Sequence, residues 1–295
     1  MNTERFLKYL RYELNYSVHT VLSYSKDLFQ FVVFLKAEDD FSPASVAVSD
    51  VRSWVHSMTK AGMAPRTIRR KIQSLRSYYR YLQKYEGIVF SPVDDIPLAK
   101  IPRSLPVFVP QKNMDAVLDS KYDHADFNQV RNHLMVEMLY ETGMRRAELI
   151  SLNDCDVDVD ARELKVLGKR NKHRLIPFGD CLAEQISEYR SLREEVGPEV
   201  DNFFITDKGK AVYPTLVYRV VTGELASETM AKRSPHVLRH SFASAMLNNG
   251  AELNSVKELL GHESLAATQV YTHITYRELK QNYKHAHPRA LKKGG

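Results

Sequence analysis

Five prolines fall within one short stretch of the chain, and this stretch limits what the sequence can fold into. Proline lacks a backbone N–H donor and disfavours helical geometry in the residue before it, so the stretch favours extended chain. A chain of 295 residues is also long enough for two hydrophobic cores. We therefore predict two domains, residues 1–90 and 107–295, joined by a linker over 91–106. The prolines are Pro92, Pro97, Pro102, Pro106 and Pro110.

The first ninety residues show the spacing of amphipathic helices, with apolar side chains recurring every three or four positions. Ser17 and Ser49 precede two of these stretches and are predicted N-caps, because a serine side chain accepts a backbone N–H. Gly62 and Gly87 follow two stretches, where a helix commonly ends. The predicted helices cover residues 3–14, 18–36, 49–60 and 65–85.

The fourth predicted helix has an apolar face and a cationic face. Apolar side chains from Ile68 to Leu82 fall together at 100° per residue, and six cations fall on the opposite side. Ordinary exposed faces mix charges, and a row of like charges is self-repulsive unless phosphates bind it. We predict that this face binds DNA; a solvated face is the alternative. The cations are Arg66, Arg69, Arg70, Arg76, Arg80 and Lys84.

The distribution of charge indicates the same kind of partner. The formal net charge is +6, and residues 1–90 account for all of it, with 14 Lys and Arg against 8 Asp and Glu. A basic segment joined to a neutral remainder is typical of proteins that bind a polyanion, usually nucleic acid. A basic domain without such a partner would have the same composition.

Hydropathy and cysteine content exclude several classes of protein. No apolar run approaches the roughly 18 residues of a membrane span, and the N-terminus lacks the apolar core of a secretory signal. We therefore expect a cytoplasmic protein with no membrane partner. The two cysteines, Cys155 and Cys181, suggest neither a disulfide framework nor a zinc motif and are expected to be ordinary thiols.

The second domain combines helices with one hairpin. Asn113 is a predicted N-cap, and Gly143 is placed to end a helix over residues 125–141. Two later stretches have the alternation of strands and flank a glycine-containing turn. The strands cover residues 163–167 and 174–178, and the turn covers 168–172.

One short segment indicates an anion-binding site. Ser234 and Pro235 begin a predicted helix whose first turn holds His236 and Arg239 on one face. Free N–H groups at a helix start favour an anion, and these side chains add donors there. His236 and His240 also have the spacing of a zinc pair, but no glutamate follows His236 to act as a metalloprotease base. Alone, such a pair is usually a coincidence.

Six residues together resemble the signature of the tyrosine recombinase (phage integrase) family, which is Arg, Lys, His-x-x-Arg, His and Tyr in that order. The first arginine lies in TGMRRAEL (142–149), and the lysine follows Gly168 on the hairpin turn. The later motifs are HVLRH (236–240), LGH (260–262) and VYTH (270–273). The six residues are Arg145, Lys169, His236, Arg239, His262 and Tyr271.

The resemblance implies a fold that is mainly α with a small β-sheet. A helical core-binding (SAM-like) domain and a mixed α/β catalytic domain would form a C-shaped clamp on DNA. It also implies cleavage and rejoining through a 3′-phosphotyrosine on Tyr271, without metal, other cofactor or ATP. The two arginines would bind phosphate oxygens, and His262 would donate a further hydrogen bond. His236 would accept the phenol proton, and Lys169 would protonate the leaving 5′ oxygen.

Chain length, linker and final motif look like the Xer subgroup, whose members resolve chromosome dimers. That likeness implies a homo- or heterotetramer on two DNA duplexes. It leaves open a second recombinase and a DNA translocase of the FtsK type as further partners. A predicted helix over 276–284 would dock into a neighbouring protomer or, alternatively, fold on its own domain. The alternatives in function are a mobile-element integrase or invertase, a type IB topoisomerase-like enzyme and a DNA-binding protein without activity.

Overall fold

The chain divides into two compact units, Met1–Ser104 and Leu105–Gly295, each with its own buried apolar cluster. The structure is a computed structural model that describes residues 2–37, 41–97, 108–168, 173–226, 233–261 and 276–290. Within these ranges, no helix is both long enough and apolar enough to cross a membrane.

The N-terminal unit is helical in its described part. The first predicted helix is interrupted, because its second half is π-helical. Ser17 caps the second helix as predicted, its Oγ accepting the N–H of Thr20 at 3.2 Å. The Ser49 cap is wrong: Ala47 holds the N-cap position, and Asp50 Oδ2 accepts its N–H at 2.9 Å. The elements are α1 (Asn2–Lys8), a π-helical turn (Tyr9–Glu13), α2 (Val18–Phe34), a 3₁₀ turn (Pro43–Ser45), α3 (Val48–Lys60) and α4 (Pro65–Tyr85).

A buried ion-pair cluster joins α2 to α4. The Asp27 side chain is only 1% exposed and pairs with both Arg70 and Lys71. Burying a carboxylate costs several kcal/mol unless its charge is compensated, so the two cations are required partners. In the apolar core of the same unit, the Phe31 ring packs on the Trp54 ring, with centroids 4.8 Å apart. The register of α4 on α2 is therefore fixed by charge as well as by apolar packing.

The C-terminal unit combines helices with a small antiparallel sheet, whose strand order is β1-β2-β3. Val166 on β2 pairs with Arg174 on β3, and Leu164 pairs with Ile176, so the predicted hairpin is present. The predicted mainly α fold with a small sheet is confirmed. The elements are α5 (Gln111–Leu118), α6 (Phe127–Thr142), α7 (Arg146–Ser151), a 3₁₀ turn (Asp154–Asp156), β1 (Val157–Asp158), β2 (Glu163–Leu167), β3 (His173–Pro177), α8 (Asp180–Val196), α9 (Pro214–Glu224), α10 (Pro235–Asn248), α11 (Leu253–Leu260) and α12 (Tyr276–Ala286).

Helix α6 is the centre of this unit, with every residue from His133 to Thr142 buried. Asp126 caps its start by accepting two backbone N–H groups. The predicted Asn113 cap is wrong, because Asn113 lies inside α5 and Pro110 holds the N-cap position. Gly143 ends α6 as predicted, with a φ of 59° in the left-handed region.

Replacing Gly143 with alanine is expected to lower the free energy of unfolding by about 3 kcal/mol, from backbone strain plus overpacking. A Cβ at this position would clash with Cδ1 of Phe242. Gly197 has a similar φ of 75°, but a Cβ added there would meet no atom within 4 Å, so Gly197→Ala is the matched control. The control substitution should lower the free energy of unfolding by only about 1 kcal/mol. Chemical denaturation followed by circular dichroism measures both, and equal losses would contradict the overpacking argument.

The C-terminal segment lies against its own domain in this chain. Leu279 and Tyr283 of α12 are buried, and the His287 ring stacks on Tyr283 with centroids 5.0 Å apart. Arg289 then enters the interior, where it pairs with Glu137 at 2.9 Å and Glu141 at 3.3 Å. In the single chain, the segment therefore folds on its own domain. Docking into a neighbouring protomer stays a prediction.

Candidate active site

Three arginines from separate parts of the chain meet at the C-terminal end of α11. The last carbonyls of a helix have no partner within the helix, and they form the negative end of its dipole. Here three consecutive carbonyls accept three different guanidinium groups. Leu259 O accepts Arg174 Nε at 2.8 Å, Leu260 O accepts Arg239 at 2.5 Å, and Gly261 O accepts Arg145 at 3.0 Å. The helix end therefore gathers three cations at one place.

Arg145 occupies the N-cap position of α7, and Glu148 holds both its backbone and its side chain. Glu148 Oε2 accepts the Arg145 backbone N–H, and Glu148 Oε1 accepts a hydrogen bond from the Arg145 guanidinium, each at 2.7 Å. The Arg145 side chain is 24% exposed. It is thus held on one side by Glu148 and Gly261 and open to solvent on the other.

Arg239 lies in the second turn of α10 and is 7% exposed. One terminal nitrogen donates to Gly143 O at 2.6 Å, which ties α10 to the turn after α6. Burial, with the neighbouring charge of Arg145, lowers the pKa of Arg239 to about 10. It remains a cation at neutral pH, and its proximity to Arg145 makes the site a double positive charge that an anion would stabilise.

His236 precedes Arg239 by three residues in the first turn of α10. Burial lowers the pKa of His236, and the charges of Arg146, His240 and the two site arginines lower it further. A neutral imidazole is favoured at neutral pH, and such a ring can accept a proton. Within the described ranges, no group of three His, Cys, Asp or Glu side chains could hold a metal ion.

Three of the six predicted site residues, Lys169, His262 and Tyr271, lie outside the described residues. The structure places the other three together, on α10 and at the start of α7. Ser234 holds the predicted N-cap position of α10, although its side chain makes no capping hydrogen bond.

Sequence reasoning missed two residues of this cluster. Glu148 lies three residues after Arg145, a capping-box spacing that could have revealed it. Arg174 was assigned only to a strand, and no sequence pattern linked it to α11. Both Arg174 and Arg145 pair with Glu148, so two guanidinium groups share that carboxylate.

The six cations predicted to bind DNA on α4 differ in their surroundings. The apolar face is buried as predicted, with Ile72, Leu75, Tyr79 and Leu82 in the core. Three of the cations have protein partners. Arg70 pairs with Asp27, and Arg76 donates to Val93 O at 3.1 Å and Ile96 O at 2.8 Å. The Lys84 ammonium lies over the Tyr85 ring, 4.8 Å from its centroid. Lys84 is also exposed to solvent, as are the other three cations, Arg66, Arg69 and Arg80.

Comparison with protein-family models assigns both units. The model described as "Phage integrase family" matches residues 108–278, and the model "Phage integrase, N-terminal SAM-like domain" matches residues 3–86. The chain belongs to the phage integrase family, the tyrosine recombinases.

Curated relatives with high similarity carry one name. Tyrosine recombinase XerC of Chlorobaculum tepidum is 36% identical, covering 97% of this chain and 94% of its own length. Tyrosine recombinase XerC of Bacillus subtilis is 34% identical, covering 98% and 96%.

Solved structures share the fold. The XerH site-specific recombinase bound to a palindromic difH substrate in a post-cleavage complex has a TM-score of 0.69 at 24% identity, covering 96% of this chain and 83% of that one. The Tn1549 transposon integrase in complex with transposon right end DNA has a TM-score of 0.68 at 19% identity, covering 96% and 98%.

Proposed function

We propose that this chain cleaves and rejoins duplex DNA at a specific site through a 3′-phosphotyrosine formed on Tyr271. The observation that carries the proposal is the meeting of Arg145 and Arg239 at the end of α11, beside His236. Fixed, partly buried cations at that position suit a phosphodiester whose charge rises during attack. Family membership supplies the expected nucleophile, since the VYTH motif follows α11 in the sequence.

In the proposed reaction, the Tyr271 hydroxyl oxygen bonds to phosphorus and the bond from phosphorus to the 5′ oxygen breaks. His236 accepts the phenol proton, and Lys169 protonates the leaving oxygen. Arg145 and Arg239 hold the non-bridging oxygens. The 5′-hydroxyl of a partner duplex then attacks the phosphotyrosine, so one phosphodiester replaces another and no ATP is consumed.

We further propose a role in resolving chromosome dimers at a dif-like site in the cytoplasm, with a tetramer assembled on two duplexes. The XerC relatives support this role, since they align with nearly the whole chain at 34–36% identity. A second recombinase as partner and a DNA translocase of the FtsK type as regulator belong to the same proposal.

Suicide DNA substrates test this function. Nicked duplexes carrying candidate dif-like chromosomal sites are incubated with the chain, alone and with a second recombinase from the same cell. We expect a covalent adduct on chromosomal sites, mapped by mass spectrometry to Tyr271. Adducts only on mobile-element ends would replace the chromosomal role with an integrase role. Relaxation of supercoiled plasmid lacking any site would favour a topoisomerase-like enzyme.

The cationic face of α4 gives a prediction about salt. We expect Arg66→Gln combined with Arg69→Gln to weaken DNA binding and to reduce the slope of log affinity against log salt by about 2, because two phosphate contacts are lost. Arg52→Gln with Lys60→Gln on α3 is the matched control, since both cations are exposed on another helix. Fluorescence anisotropy over a salt series measures the slopes, and equal changes in both double variants would remove α4 as the DNA-binding face.

A further inference from the structure

We propose that Arg174 is a positioning residue for the active site, holding both Arg145 and the C-terminal end of α11. This inference rests on the proposed function, because its effect is on the cleavage step. Arg174 is not one of the six residues of the family signature found in this chain. It lies on β3, which follows the hairpin turn predicted to carry Lys169.

Every nitrogen of the Arg174 guanidinium has a protein acceptor. The two terminal nitrogens donate to the two oxygens of Glu148 at 2.9 and 2.8 Å, and Nε donates to Leu259 O at 2.8 Å. An arginine whose fork is occupied by one carboxylate is poorly placed to bind a phosphate itself. Its role is therefore to fix the groups it contacts.

The first of those groups is Glu148, which is 5% exposed. Burial alone would raise the pKa of Glu148, but hydrogen bonds and charge from Arg174 and then Arg145 bring the pKa below its usual value. Arg174 thus keeps Glu148 ionised and in one orientation. Because the same carboxylate holds Arg145, any rotation of Glu148 moves the guanidinium that faces the phosphate.

The second group is the end of α11. Arg174 binds the Leu259 carbonyl and also lies against Gly261, where an added Cβ would be 3.2 Å from its terminal nitrogen. Leu260 O and Gly261 O, the next two carbonyls, hold Arg239 and Arg145. A shift of this helix end would displace both cations together.

A lysine could not replace these contacts. Its ammonium is a single point of charge, whereas the arginine fork spans two carboxylate oxygens and still presents Nε to a carbonyl. Arg174→Lys therefore retains the charge but gives up the geometry, which separates positioning from electrostatics.

The test compares Arg174→Lys with Arg190→Lys. Arg190 is the matched control, because it also bridges a carboxylate, Asp154 at 2.9 Å, and two carbonyls in the same unit, away from the arginine cluster. Single-turnover cleavage of a suicide substrate is measured at saturating DNA, together with the dissociation constant for DNA and the thermal midpoint. We expect Arg174→Lys to slow cleavage at least tenfold, with DNA affinity within twofold of wild type and a thermal midpoint near that of Arg190→Lys. Arg190→Lys should cleave at the wild-type rate.

A double-mutant cycle supplies the second measurement. If Arg174 acts through Glu148, the double variant Arg174→Lys with Glu148→Gln will slow cleavage by less than the product of the two single fold-losses. Wild-type cleavage by a folded Arg174→Lys, or equal slowing in Arg190→Lys, would overturn the positioning role while leaving the recombinase assignment intact. If the wild-type chain forms no adduct on any substrate, the proposed function fails and the role of Arg174 falls with it.

Discussion

Tyr271→Phe is expected to abolish covalent attachment to DNA while leaving DNA binding intact. The phenol oxygen is the atom that would bond to phosphorus, and phenylalanine keeps the ring without it. The loss should be complete rather than partial, because no other atom of the side chain can take that role. Electrophoresis after boiling in detergent detects the adduct, and a mobility shift of the same DNA probe measures binding.

Tyr218→Phe is the control, since Tyr218 lies exposed on α9 and its replacement removes the same atom from a surface position. It should retain both the adduct and the shift. An adduct of normal yield in Tyr271→Phe would show that another residue is the nucleophile, and the family motif would then have been placed on the wrong tyrosine.

Arg145→Ala should slow cleavage, because it removes about 3 kcal/mol of transition-state stabilisation, comparable to the loss of an oxyanion donor. That corresponds to on the order of 100-fold in rate. Arg145 is the more exposed of the two arginines bound to Leu260 and Gly261, and Glu148 already neutralises part of its charge. Its value to the transition state is therefore its fixed position, which alanine removes. Single-turnover cleavage at saturating DNA measures the effect.

Arg162→Ala gives the matched comparison, because Arg162 pairs with Asp180 at 2.6 Å on the surface of the same unit. An exposed pair of this kind contributes little to stability, and the variant should cleave normally. A near-normal rate in Arg145→Ala would remove Arg145 from the site. If Arg145→Ala weakens DNA binding but leaves the cleavage rate unchanged, Arg145 contacts the DNA in the ground state only.

The helices with strong periodicity and clear ends were predicted well from the sequence. Helix α4 runs from Pro65 to Tyr85 as expected, because its apolar spacing, first-turn proline and following glycine all agree. Caps were less predictable where two polar residues compete. Ser49 and Asp50 both have cap chemistry, and the structure uses Asp50 to bind the N–H of Ala47. The π-helical turn over Tyr9–Glu13 leaves no sign in the apolar spacing.

The sequence motifs indicate part of the candidate site, and its residue roles stay predictions. Arg145, His236 and Arg239 were found from the family signature, and the structure brings them together. Arg174 could not be found that way, because its partners are Glu148 and the Leu259 carbonyl, 26 and 85 residues away in sequence. Backbone acceptors leave no trace in side-chain patterns. The pairing of Arg70 with Asp27 is hidden for the same reason of sequence distance.

The acceptors at the end of α11 belong to the main chain, and this has a consequence for how the protein can diverge. Substituting Leu259 or Leu260 leaves the carbonyls that hold Arg174 and Arg239 in place, provided that the helix still ends there. Those two leucine side chains are thus restrained by the apolar core and not by charge. Gly261 is different, since its φ of 62° and its contact with Arg174 restrict replacement. Over evolutionary drift, the leucines should exchange with other apolar residues while the glycine persists.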